Sequence, residues 1–285
     1  MPRVAEPVAI SRVLGEIRPD LARHVFVGSN FFLQRMLAQY RDELQVPASS
    51  SLLLKASAGT VEFLSTRAAG IQVTARRDGA GLRATVHVTN LGGHKLPTAY
   101  PARRAWLHVR VRDAAGRAVF ESGAPGVNGS IAGNDNDADP RRFEPHYREI
   151  RREDQVQIYE SILGDGAGQV TTALLSATRY LKDNRLLPAG FDKRTAAADI
   201  GVIGEARDDP RFDDEGHSVD YVIDTGASRG PFTIDAELLY QPIAYRWAHN
   251  LSGYAAAEPQ RFVRLYTQMQ DSTVTTLAKG SATQP

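Results

Sequence analysis

The densest run of metal-binding side-chain types is Asn134–Glu144, NDNDADPRRFE. Asp135, Asp137 and Asp139 stand at alternate positions there, with Asn134 and Asn136 interleaved. Carboxylates this close repel one another unless a cation or arginines compensate. Hard oxygen donors at i, i+2 and i+4 on a loop are what Ca²⁺ coordination uses. An EF-hand is excluded, because Pro140 takes the place of the required glycine and His146 that of the bidentate glutamate. Two readings remain. One is a non-EF calcium site of Asp135, Asp137 and Asp139, with Glu144 as an extra ligand. The other is a solvated acidic loop paired with Arg141, Arg142, Arg148, Arg151 and Arg152.

The histidines are His24, His87, His94, His108, His146, His217 and His249, and none forms the HxxxH or HExxH pair of a helical zinc hydrolase. His87 and His108 fall on the polar phase of alternating strands and are expected to be exposed. His94 differs, because it follows Gly92-Gly93 in a turn and precedes Pro97. An imidazole there can ligate a metal or haem iron, or it can fix the turn by bonding backbone groups. Arg103-Arg104 beside Trp106 can stack or hold a carboxylate, a framework bridge being the plainer expectation. GxSxG, P-loop and GxGxxG patterns are absent. GDGAGQ (164–169) lacks the Lys-Ser/Thr of a nucleotide loop and reads as a strand turn. Nothing nominates a Ser–His–Asp triad or a glycosidase acid pair, so no catalytic residue is assigned.

Composition narrows the classes further. The chain has no cysteine, which removes disulfides, thiolate nucleophiles, iron–sulfur clusters and covalent attachment of haem c. A formal net charge of +1 over 285 residues argues against a nucleic-acid footprint. No apolar run approaches the roughly 20 residues of a membrane span. The first residues, MPRVAEPVAISRV, place Arg and Glu where a signal peptide has its apolar core.

The elements that must position these residues change period along the chain. Asn30 can cap a helix carrying Phe32, Leu33, Met36, Leu37, Tyr40 and Leu44 in the i, i+3/i+4 rhythm. Ser49–Ser51 can cap a second, with Leu54, Val61, Leu64 and Ala68 as its stripe and Gly70 closing it. From Ile71 the period is 2. LRATVHVT and AWLHVRVRD read as half-buried antiparallel strands, followed by RAVFES, VQIYESI, SVDYVID and PFTIDAELLYQ. Long loops at 123–155 and 181–217 interrupt them. Pro259 opens a closing helix with Phe262, Leu265, Tyr266 and Met269, and the tail from Asp271 reads as frayed or disordered. The expected fold is mainly β: an antiparallel β-sandwich with an N-terminal helical hairpin and a C-terminal helix. Its expected divisions are 1–70 (hairpin), 71–252 (sandwich) and 253–285 (helix and tail).

GHKLPTAYPARRAWLHVRVRDAAGRAVFESG (93–123) resembles the post-haem segment of bacterial multihaem c-type cytochromes of the cytochrome c-554-like group. NGSIAGNDNDADPRRFEPHY, QVQIYESILGD, RYLKDNRLLPAGFDK and ELLYQPIAYRWAHNL look like the same region in the same order, so the resemblance spans about 1–270. Met1-Pro2 and RHVFVGSNFFLQRML resemble the residues that come after the last CxxCH in such proteins. The resemblance implies a haem-free C-terminal region, truncated just after that motif and periplasmic. Its role would be non-catalytic: covering haems and docking a redox protein in electron transfer. By the same resemblance His24 and His94 would be axial ligands to haem held by a missing N-terminal region or a partner, with His146 and His249 weaker candidates. The alternative is a stand-alone calcium-stabilised β-sandwich binding module.

Overall fold

Strand formation follows the period-2 runs. β1 (Ala69–Asp78) and β2 (Gly81–Asn90) form an antiparallel hairpin, and β7 (Gly216–Ile223) pairs with the free edge of β2. β3 (Arg104–Arg112), β4 (Ala118–Ser122), β8 (Phe232–Gln241) and β9 (Thr275–Gln284) form a second sheet, in the order β9-β8-β3-β4. β5 (Ser161–Asp165) and β6 (Ala177–Asp183) build a small third sheet together with Val170–Thr171. This computed structural model describes residues 4–9, 11, 13–22, 27–79 and 81–285.

The two large sheets face each other through alternating side chains. Leu82, Ala84, Val86 and Val88 of β2 join one core cluster with Leu107, Val109 and Val111 of β3 and Ile234, Ala236 and Leu238 of β8. Removing this apolar surface from water is the main drive for the sandwich. Helix α1 (Phe31–Gln39) starts at Asn30, whose Oδ1 accepts the Leu33 N–H at 3.0 Å. It adds Phe31, Phe32 and Met36 to the same core. α2 (Ser50–Arg67) starts at Ser49 and is fastened by Ser57, whose hydroxyl donates to the Phe31 carbonyl at 3.1 Å. The mainly-β expectation, with antiparallel sheets and flanking helices, holds.

Local expectations fail where tertiary contacts override them. The tail from Asp271 is not frayed: β9 pairs with β8 from Tyr240↔Thr275 to Phe232↔Gln284. Its Ser, Thr and Ala composition looks disordered, but the open edge of β8 offers unpaired backbone groups that β9 satisfies. β3 is not half-buried, since Arg104 through Val109 are all buried. The 123–158 insertion covers its outer face, where Trp106, Ile131, Val156, Ile158 and Leu239 make a second apolar cluster. His108 is also buried rather than exposed, flanked by Glu121 with Nε2 at 2.8 Å and by Glu237 with Nδ1 at 3.5 Å. VQIYESI breaks in two: Ile158–Tyr159 pairs with β3, and Ser161–Asp165 enters the small sheet. Gly70 lies inside β1, and Leu54 of the α2 stripe is exposed. Among the described residues no helix is long and apolar enough to cross a membrane.

Candidate functional site

The turn that carries His94 is built by Asn90, the last residue of β2. Its buried amide accepts the Gly92 N–H at 2.9 Å and donates to the carbonyls of His94 (2.7 Å) and Leu186 (3.1 Å). Leu96 and Leu186 then exchange backbone hydrogen bonds. Lys95 turns inward to Asp183 and the Gly201 carbonyl, both at 2.8 Å. The His94 ring is left exposed, and its Nδ1 lies 3.1 Å from the Lys95 carbonyl. A carbonyl can only accept, so Nδ1 carries the proton and Nε2 presents its lone pair. His94 borders a cleft of about 250 Å³ that it shares with Phe63, Leu91, Leu96 and Arg103. His24 lies outside the described residues.

The acidic loop folds as a short helical turn, α3 (Asp135–Ala138), capped by Asn134. Its carboxylates go to separate donors. Asp137 points inward: Oδ1 accepts from Arg104 Nη1 and Oδ2 from the Ile131 N–H, each at 2.8 Å. Arg104, 1% exposed, is used up by Asp137, Gln241 (2.9 Å) and the Gly129 carbonyl (3.0 Å). Asp135 pairs with Arg142 at 2.6 Å, and Asp139 accepts the Arg141 N–H at 2.9 Å. Glu144 is buried, accepting the Asp135 N–H at 2.9 Å and the Tyr147 hydroxyl at 2.7 Å. Burial holds its carboxyl above the usual range. The structure thus does not bring Asp135, Asp137, Asp139 and Glu144 onto a common point. Of the arginines expected to compensate, Arg141 and Arg142 do so. Arg151 and Arg152 pair instead with Glu149 and Asp154, and Arg148 reaches the Asp208 carbonyl.

The cluster that the structure does assemble is His146, Asp209 and His217. Asp209 follows a 3₁₀ turn (Glu205–Asp208), His217 lies in β7, and His146 comes from the insertion. All three side chains are at most 1% exposed. Both Nε2 atoms approach the same Asp209 Oδ2, at 3.1 and 3.2 Å. The imidazoles stack with centroids 4.4 Å apart, and Phe212 meets both in a T-shaped arrangement.

The tautomers are set by the neighbours. Asn184 is oriented by the Glu160 N–H on its Oδ1 and by its own donation to the Ile158 carbonyl, so its NH₂ faces His146 Nδ1 at 3.2 Å. Gln157, held by the Tyr147 N–H on its Oε1, also presents its NH₂ to that nitrogen, at 3.4 Å. His146 Nδ1 is therefore an acceptor and the proton sits on Nε2. Burial raises the Tyr159 phenol well above its ordinary value, so its hydroxyl stays protonated and donates to His217 Nδ1 at 2.9 Å.

Two histidines and an aspartate are also the donor types of a metal centre. A metal on Nε2 needs a protonated Nδ1 with an acceptor behind it. His146 has amide donors there instead, so the set fits a buried carboxylate held by two neutral imidazoles better than a cation. Burial depresses both histidines, His217 to about 3 against the opposing pull of Asp209. Burial alone would raise Asp209. Hydrogen bonds from His146, His217 and the Arg211 N–H outweigh it and hold the carboxyl far below the usual carboxylate range. No sequence pattern announces this cluster, because its members are 63 and 8 positions apart.

Fold and site define a mainly antiparallel β-sandwich protein with helical flanks, a buried His–Asp–His cluster and one exposed turn histidine. No family model and no curated protein matches the chain. It is similar to a solved structure, a penta-haem cytochrome c552 from Thermochromatium tepidum, at 17% identity and a TM-score of 0.47. That likeness covers 78% of this chain and 40% of the other, so the chain spans less than half the length of the cytochrome. So slight a likeness carries no inference about what this chain binds.

Proposed function

We propose that the chain is a non-catalytic, haem-covering module of a periplasmic multihaem cytochrome, donating an axial imidazole and docking a haem-bearing region or redox protein. The observation that supports this most is His94. Its ring is exposed on a rigid turn, its Nδ1 is committed to the Lys95 carbonyl, and its Nε2 carries the lone pair an iron needs. Leu91, 58% exposed beside it, offers the apolar surface that a porphyrin edge would cover. The sequence resemblance of 93–123 to post-haem segments gives the haem its place in this reading. By the same resemblance His24 is a second ligand.

The test uses a haem c peptide that carries its own proximal histidine and has an open sixth position. Adding the chain is expected to shift the Soret band to that of a low-spin, six-coordinate haem, saturably. His94→Ala is expected to weaken the shift, His94→Ala combined with His24→Ala to abolish it, and His249→Ala to leave it. An unchanged spectrum with the wild-type chain, or an equal shift with His94→Ala, would overturn the assignment.

A further inference from the structure

A second cavity, of about 530 Å³, opens between α1, the Tyr100–Arg103 turn, the 242–254 segment and helix α5 (Ala257–Gln268). Its volume falls within the range of small-molecule sites. Aromatic rings line part of it, beside aliphatic side chains such as Leu33, Ile243 and Leu251. Tyr100 and Trp247 pack with ring centroids 5.6 Å apart, and Tyr254 and Phe262 also line it. Tyr100 and Tyr254 are about half exposed, unlike most of the chain's large aromatics. Isolated exposed aromatics are ordinary, but several converging on one concavity are what a ligand site requires.

Arg103 supplies the charge. It is the only charged residue lining the cavity among the described residues. Its Nη1 donates to the Thr98 carbonyl at 2.9 Å, and no carboxylate pairs with it among the described residues. The neighbouring Arg104 shows the contrast, with its guanidinium consumed by Asp137, Gln241 and Gly129. A half-buried guanidinium in an apolar wall, with donors to spare, is complementary to a planar anion presented bidentately. Flat rings opposite Trp247 and Tyr100 would gain stacking area in the same pose.

We propose that this cavity binds a small aromatic carboxylate, its ring against Tyr100 and Trp247 and its carboxylate on Arg103. Arg103 also borders the His94 cleft, through Thr98, but the proposal needs no haem at His94.

Trp247 reports on the cavity directly, because the only other tryptophan, Trp106, is fully buried in the sheet. Titration with 2-naphthoate is expected to change Trp247 fluorescence saturably in the micromolar to submillimolar range. The neutral isostere 2-naphthalenemethanol is expected to bind at least tenfold more weakly, a comparison that needs no variant. Arg103→Gln is expected to bring naphthoate down to the level of the neutral compound, with Arg103→Lys between. Ile243→Phe, which narrows the cavity without adding a tryptophan, is expected to weaken both. Absence of saturable binding to the wild-type chain would overturn the proposal. So would equal affinity for acid and alcohol, or a folded Arg103→Gln variant that keeps wild-type affinity for naphthoate.

Discussion

Lowering the pH from 7 to 5 should destabilise this protein through His217, and the size of the effect can be worked out. An unfolded histidine titrates near 6.5, whereas burial holds His217 near 3 in the fold. Between those values the unfolded chain takes up a proton that the folded chain refuses, so stability falls as pH falls. From pH 6.5 to 5 the loss from His217 is about 2 kcal/mol, at about 1.4 kcal/mol per pH unit. His146, also depressed by burial, adds in the same direction. Asp209 acts lower down: its depressed carboxyl gives stability that is present above its unfolded value of 3.8 and lost as pH falls through the folded one. About 2 kcal/mol corresponds to roughly 3 °C in Tm for a chain of this size. Thermal melts at pH 7, 6 and 5 measure it. His217→Gln keeps a donor for Asp209 without a titrating ring, so its Tm should start lower and fall less steeply. A wild-type Tm that is flat between pH 7 and 5, or the same slope in His217→Gln, would refute the reasoning.

Other perturbations separate framework from function. Asp137→Ala strands the buried Arg104 guanidinium and should cost about 3–5 kcal/mol, read by urea unfolding. The wild-type chain tests the calcium reading. If arginines alone satisfy the loop, chelator leaves the wild-type melting curve unchanged, while a Tm that rises with added calcium would show a cation displacing Arg141 and Arg142. Asn90→Ala leaves the buried Leu186 carbonyl and the turn short of donors. It should cost about 1–3 kcal/mol and weaken haem-peptide binding along with stability. His94→Ala removes only an exposed ring, so stability should stay within about 0.5 kcal/mol while the Soret shift weakens. Deleting 275–285 strips one of the two partners of β8, exposing its edge, and should lower Tm sharply.

The sandwich was legible because its strands announce themselves one residue at a time. Leu82, Ala84, Val86 and Val88 alternate with polar neighbours, and that alternation alone sets which face meets the core. The helix starts at Asn30 and Ser49 were legible for the same reason, since a cap is a local hydrogen bond. β9 was not legible, because its composition is that of a loose tail and only the waiting edge of β8 makes it a strand. Nor was the burial of Trp106 and His108, whose outer face is covered by residues far along the chain.

The candidate sites divide in the same way. The oddity of His94 is local as a pattern, marked by two glycines before it and a proline after it, although the fold holds the turn through Asn90 and Leu186. Asp135, Asp137 and Asp139 are local too as a pattern, but their roles are not. Asp135 meets Arg142 of its own motif, but whether Asp137 meets a cation or Arg104 depends on a donor that the fold brings from outside. His146, Asp209 and His217 carry no pattern at all. Their meaning arises when β7, the 3₁₀ turn and the insertion converge and exclude water, so that proton positions answer to Asn184, Gln157 and Tyr159 rather than to solvent. Local sequence decides conformations that short-range sterics and hydrogen bonds can enforce. Desolvation and pairing across the chain are decided only by the tertiary structure.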